Sequence, residues 1–231
     1  MKPLAIITGV GPGTGAALVR RYAEGGYRVA MLARDVGRLD TLAREVPDSF
    51  ALPCDVGDPD ALLAALDQAA AAGGPVKAVV HNAVGGAFGN FLDVDPSVLE
   101  ANFRINVMAL YHIARWAVPH MEAEGGSILV TGNTSAERGK ALFAGFAPTK
   151  AAQRILAESI ARQLGPKGIH VAYLVIDAVI DVPWTRERFP GKPDDFFIQP
   201  ADIAAEAFHV AHQPKSAWSF RTEIRPAGEV W

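Results

Sequence analysis

Short apolar runs alternate with stretches in which apolar positions recur at helical spacing, from one end of the chain to the other. Leu4-Ala5-Ile6-Ile7 reads as a buried strand. Ala16-Ala17-Leu18-Val19-Arg20-Arg21-Tyr22 reads as a helix that stops at Gly25-Gly26. Residues 28–32 form a second strand. Asp35 caps a helix from Val36 to Glu45, where Leu42 with the flanking Arg38 and Arg44 gives a mixed face. Residues 50–52 are a third, short strand. Asp58 and Pro59 supply the cap and first turn of a helix over 60–72, which Gly73-Gly74-Pro75 ends. Residues 76–80 are a fourth strand, running into His81-Asn82-Ala83. Asp95 and Pro96 open a long helix whose Leu99, Phe103, Val107, Leu110 and Ile113 share one face, and which fades near Pro119. A fifth strand (127–131), a helix from about Thr149 to Leu164 stopped by Gly165-Pro166, and a sixth strand (170–176) follow. An aromatic- and proline-rich stretch over 181–200 holds Trp184, Phe189, Phe196 and Phe197. A helix over 201–212 and a strand over 220–224 end the pattern. Strands and helices in alternation predict one α/β domain over residues 1–231, a doubly wound, mostly parallel sheet with helices on both faces. In such sheets ligands sit at the carboxyl ends of the strands, so the residues just after each strand carry the chemistry.

Composition narrows the partners. With 231 residues, half of them hydrophobic and 20% charged, the chain can bury one sizeable core. The net charge of −3 is spread along the chain without a Lys/Arg cluster, which argues against nucleic acid and against an anionic membrane. A single cysteine, Cys54, excludes an internal disulfide and agrees with a reducing, cytoplasmic location; it reads as a small buried residue at a strand end. Lys2 with the apolar stretch after it faintly resembles a signal peptide, but the stretch is short and broken by glycine and proline. No apolar run approaches the length of a membrane span.

The most informative segment is Thr8-Gly9-Val10-Gly11-Pro12-Gly13-Thr14-Gly15, between the first strand and the first helix. Glycines at a strand-to-helix turn let a pyrophosphate approach the backbone, and the helix N-terminus stabilises its charge. An ordinary tight turn without a ligand is the alternative. The context makes this a Rossmann-like cofactor loop, with Thr8, Gly9, Gly11, Gly13, Thr14 and Gly15 as cofactor-binding candidates. After the second strand stand Arg34 and Asp35, about 20 residues past the glycines, where the adenosine ribose is recognised. An arginine accommodates a 2′-phosphate and an acid accepts from a free 2′-hydroxyl. Arg34 comes first and Asp35 is the better helix cap, so NADP is favoured and NAD remains the alternative. Asp55-Val56 after the third strand suits the adenine amine. Asn82-Ala83-Val84-Gly85-Gly86 after the fourth offers small residues for a cofactor to lie against and an amide to tie strands together.

With these residues in view, the chain resembles the short-chain dehydrogenase/reductase superfamily over essentially its full length. Thr8, Gly9, Gly13 and Gly15 fit that family's Thr-Gly-x-x-x-Gly-x-Gly loop. Asp55 fits its adenine-contacting acid, Asn82-Ala83 the centre of its Asn-Asn-Ala-Gly motif, and Asn106 the helix asparagine that orders a proton relay. The resemblance implies NADP(H)-dependent oxidation or reduction of a small organic molecule by a Tyr-x-x-x-Lys pair and a serine. Here the pattern departs. Phe146-Ala147-Pro148-Thr149-Lys150 keeps the lysine and puts a phenyl ring, which has no proton to give, where the family has its acid/base. Asn133 stands where the serine is expected, and its amide can still donate to a substrate oxygen. Ile176-Asp177 replaces the family's Pro-Gly, and Asp181 a frequent threonine. Asp177 or Asp181 could protonate a substrate or bind a cationic one; Tyr173, inside the sixth strand, reads as core. His112 and His120 tie to no site, and no His, Cys and carboxylate spacing suggests a metal. Lys150 is expected to hold the nicotinamide ribose. Catalytic candidates are therefore Asn106, Asn133, Phe146, Lys150 and Asp177. Two functions fit: an atypical oxidoreductase whose 181–200 stretch is a mobile lid over an apolar pocket, or an inactive NADP-binding sensor or partner subunit. The resemblance also implies a homodimer or homotetramer through the long helices, with residues 220–231 joining the interface.

Overall fold

A computed structural model describes residues 1–229. Seven parallel strands form the central sheet in the order β3-β2-β1-β4-β5-β6-β9. They are β1 (Leu4–Thr8), β2 (Arg28–Ala33), β3 (Ser49–Pro53), β4 (Val76–His81), β5 (Gly126–Gly132), β6 (Ile169–Ile176) and β9 (Arg221–Ile224). The Rossmann-like, doubly wound α/β fold read from the alternation is the one observed. The continuous apolar runs follow from burial on both faces. In β1, Leu4 and Ile6 pack on one side of the sheet and Ala5 and Ile7 on the other.

Three helices cover one face: α1 (Thr14–Glu24), α2 (Val36–Glu45) and α8 (Pro200–Ala211). The other face carries α3 (Pro59–Ala72), α5 (Ala109–Met121) and α6 (Ala147–Leu164). Asp58 caps α3 by accepting from Asp60 N and Ala61 N, and Asp35 caps α2 by accepting from Arg38 N. The mixed face assigned to α2 is better defined than Leu42 alone suggests, because Leu39 is fully buried beside it.

The long helix is three pieces. α4 (Pro96–Phe103) runs into a π turn, Arg104–Met108, and then into α5. Its expected single apolar face splits: Val107, Leu110 and Ile113 are buried, while Leu99 and Phe103 lie at the surface. The widened turn rotates the later residues relative to the earlier ones. Pro119 does not end α5, which continues to Met121. The 181–200 stretch contains α7 (Pro183–Arg188) and is pinned by a short parallel pair, β7 (Val179–Ile180) with β8 (Phe197–Ile198). Of the terminal stretch expected at an interface, the last two residues lie outside the described ones. Among the described residues no helix is long and apolar enough to cross a membrane.

Candidate cofactor and active site

The register aligns Thr8 with Leu32 and with His81, so the ends of β1, β2 and β4 open onto one cleft of about 730 Å³. That volume suits a nucleotide-sized ligand. The Thr8 hydroxyl lies 3.0 Å from His81 Nδ1 and accepts from Ala83 N at 3.3 Å. His81 Nε2 meets the Ile105 carbonyl at 3.2 Å. A carbonyl only accepts, so the imidazole proton sits on Nε2, and Nδ1 accepts a hydrogen bond from the Thr8 hydroxyl. Burial first, and the Lys150 charge second, hold the His81 pKa down at about 4, so this ring is neutral at ordinary pH.

Gly9 has a φ of +70°, and a Cβ there would lie 2.4 Å from the Ala83 backbone. This is the close approach that the loop needs glycine for. Asn82 Nδ2 donates to the Gly9 carbonyl at 2.9 Å, and its Oδ1 accepts from the Thr131 hydroxyl at 3.0 Å. One amide thus joins the ends of β1, β4 and β5. α1 begins at Gly13 without a side-chain cap and has no acid in its first turn. Thr14 Oγ1 is buried there without a protein partner. A Cβ on Gly11 would meet nothing within 4 Å, so the loop is open toward the cleft. An uncapped helix N-terminus, an orphaned hydroxyl and an open glycine backbone are the requirements of a phosphate. The residues present therefore fit a dinucleotide.

At the far end of the cleft, Arg34 is exposed beside Asp35. Arg38, which the sequence shows only as part of the mixed face of α2, joins them and pairs with Asp35 at 3.0 Å. One helical turn past the cap is the signal that would have found it. Asp55 accepts from Gly57 N at 2.9 Å and lines the cleft with Val56 and Ala83. Cys54 also lines it, but burial pushes its thiol up to about 11, so it is not a nucleophile at neutral pH.

Lys150 is 2% exposed, and burial lowers its pKa to about 7. Its Nζ donates to the Thr131 carbonyl at 3.1 Å and to Gln153 Oε1 at 2.5 Å. Asn106 sits in the π turn. Its side chain binds Gly85 through both N–H and C=O and donates to the Thr149 hydroxyl, all between 2.8 and 2.9 Å. Phe146, 4% exposed, immediately precedes α6 and packs its ring 5.4 Å from Phe88 and 6.4 Å from Phe143. Asn133 caps a short 3₁₀ turn, accepting from Ser135 N at 3.1 Å.

The two acids after β6 differ. Asp177 accepts from the Thr134 hydroxyl at 3.0 Å and stands 3.9 Å from Arg138. Asp181 is held by Arg186 through two bonds of 2.6 and 2.7 Å and by Gln199. Those donors keep its carboxyl at about 2, the wrong direction for an acid at neutral pH. Tyr173 is fully buried, and its ring is where a Gly132 Cβ would fall. His120 stacks on Trp116 at 4.2 Å, away from the cleft. Val182 and Trp184 of the 181–200 stretch do reach the cleft, Val182 lying against Gly13. Among the described residues no metal-binding cluster forms.

Comparison with known proteins agrees with this geometry. The family model described as short chain dehydrogenase matches residues 3–191. The D-erythrulose reductase of Gallus gallus is 32% identical over 169 residues, 72% of this chain and 67% of that protein. A crystal structure of a short-chain dehydrogenase from Rhodopseudomonas palustris superposes with a TM-score of 0.83 at 30% identity, covering 97% of this chain and 98% of that one. A metagenomic short-chain oxidoreductase solved in complex with NADP gives a TM-score of 0.84 at 27% identity, with 97% of each chain covered. From the glycine loop through the Lys150 helix to the sheet order, this chain belongs to the short-chain dehydrogenase/reductase family.

Proposed function

We propose that the protein is an NADP(H)-dependent oxidoreductase of small, largely apolar organic molecules in which the usual side-chain proton donor is missing. The observation that carries this reading is Phe146 four residues before a buried Lys150, in a chain whose glycine loop opens onto a nucleotide-sized cleft. Arg34 and Arg38 would bind a 2′-phosphate, Thr14 and the α1 N-terminus the pyrophosphate, and Asp55 the adenine. Lys150 would hold the nicotinamide ribose. When bound, NADPH supplies a hydride at its nicotinamide ring.

The chain's own groups bind and orient. Phe88, Phe143 and Phe146 form an aromatic wall, supported by the pairing of Gly89 N with the Leu142 carbonyl at 3.0 Å. Asn133 is available to donate to a substrate oxygen. Val182 and Trp184 line the cleft, and the 181–200 stretch is read as a lid that would close over it. The proton comes from solvent or from Asp177, which accepts from the Thr134 hydroxyl and stands 3.9 Å from Arg138.

The lack of an acid at position 146 also favours a second reading, a protein that binds NADP without turnover. Mixing the protein and NADPH with neutral ketones, imines and enones separates the two, since oxidation of the nucleotide with any of them identifies an enzyme. We further propose a homodimer or homotetramer. Leu99, Phe103, Met108 and Tyr111 on the α4–α5 rod and Ile155 on α6 are each about a third exposed or more, which is costly for large apolar groups left in water. Light scattering is expected to give at least twice the chain mass, and a monomer would overturn the assignment.

A further inference from the structure

Gln153 is a polar residue in the middle of α6 with no exposure at all. Its carboxamide spans two partners. Nε2 donates to the Asn106 carbonyl at 2.7 Å, and Oε1 accepts from Lys150 Nζ at 2.5 Å. The orientation is determined at both ends, because a carbonyl only accepts and an ammonium only donates. Asn106 belongs to the π turn, whose Ala109 N reaches back to the Arg104 carbonyl. The amide therefore links the lysine to an irregular turn that the Asn106 side chain also anchors to Gly85.

We propose that Gln153 is a positioning residue that acts on the cofactor through Lys150: it clamps the amine between the π turn and β5 and so decides which of its N–H groups is left for a ligand. The proposal rests on the NADP(H) reading above. Two of the three ammonium protons are taken by Thr131 and Gln153, which leaves one. If the amine loses a proton, the two acceptors retain the N–H groups and a lone pair takes the third place. Lys150 then offers a ribose hydroxyl no donor. Neither acceptor titrates near neutral pH, so no proton leaves Lys150 through the clamp.

The titratable groups that face Lys150 are His81 on β4 and Tyr173 on β6, whose ring centroid is 6.0 Å from Nζ; Arg154, one turn further along α6, is paired with Glu158. His81 is already neutral and burial raises Tyr173, so of these groups Lys150 is the one that changes charge near pH 7.

The test is the NADPH dissociation constant, read from nicotinamide fluorescence between about pH 6 and 9, for the wild type, Gln153→Glu, Gln153→Leu and Lys150→Met. The wild type should bind more weakly as pH rises through about 7, and Lys150→Met should lose that step. The near-isosteric Gln153→Glu puts a carboxylate on the amine and should move the step upward by roughly one to three pH units. Gln153→Leu should weaken binding about tenfold at pH 6, the loss expected of one charge-assisted hydrogen bond. If Gln153→Leu does not fold, Gln153→Glu alone decides. A step at the wild-type pH in Gln153→Glu, or a step that survives in Lys150→Met, overturns the clamp. Wild-type protein that binds no NADPH would overturn the cofactor reading instead.

Discussion

Phe146→Tyr is expected to give NADPH-dependent reduction of small neutral ketones about 10²–10⁴-fold faster than the wild type, the usual contribution of a positioned proton donor. The reasoning is local. Position 146 is 4% exposed, directly precedes α6, and leads by one turn into the helix that presents Lys150. A phenol there would carry an ionisable proton four residues before Lys150, and a positive charge on a neighbouring amine lowers a phenol pKa. On the proposed reading the lysine, held by the Thr131 carbonyl, and the Asn106 turn linked to it through Gln153 need only a donor beside them. The Phe146 ring packs against Phe88, which is itself 63% exposed. Ketone-dependent loss of NADPH absorbance measures the gain. A variant that binds NADPH like the wild type and shows no gain would mean that residue 146 does not face the substrate.

Replacing Arg34 and Arg38 together with Ala is expected to weaken NADPH about 10–100-fold and to leave NADH unchanged or tighter. Each arginine would form a charge-assisted contact to the 2′-phosphate. Both are solvent-exposed, so each contributes only about 1 kcal/mol after screening. The gain for NADH follows from Asp35. Arg38 now occupies its carboxylate at 3.0 Å, and removal of that partner frees an acceptor for a 2′-hydroxyl. Parallel fluorescence titrations at one ionic strength measure both constants. Equal losses for the two nucleotides would mean that these arginines do not face the 2′ position.

The parts of this protein that were legible in its sequence are those in which each residue answers a local requirement. The glycine loop is one, since Gly9 needs a positive φ and a bare Cα against Ala83. The Asp58-Pro59 start of α3 is another, as are strands such as β1, whose run of apolar residues faces helices on both sides. The π turn was hidden because Arg104–Met108 carries the same apolar spacing as an ordinary helix; only a tertiary partner at Asn106 distinguishes it. Gln153 was hidden for a related reason. A polar residue within a helix reads as the solvent face, and nothing local shows that Lys150 and Asn106 meet it in the interior. Arg38 was read as part of a mixed helix face because its cleft-side role depends on how α2 leaves β2. The two-residue strands that pin the 181–200 stretch are too short to show any period.

The proposed function separates two properties that normally occur together, nucleotide binding and proton donation. The most direct measurement puts both in one cuvette: titrate the wild-type protein with NADPH and with NADH by nicotinamide fluorescence, then add a neutral ketone to the NADPH complex. Saturable binding that favours NADPH, followed by little or no ketone-dependent oxidation until Phe146 is replaced by Tyr, is the expected result. Failure to bind NADPH, or rapid ketone turnover by the Phe146 protein, would contradict the account.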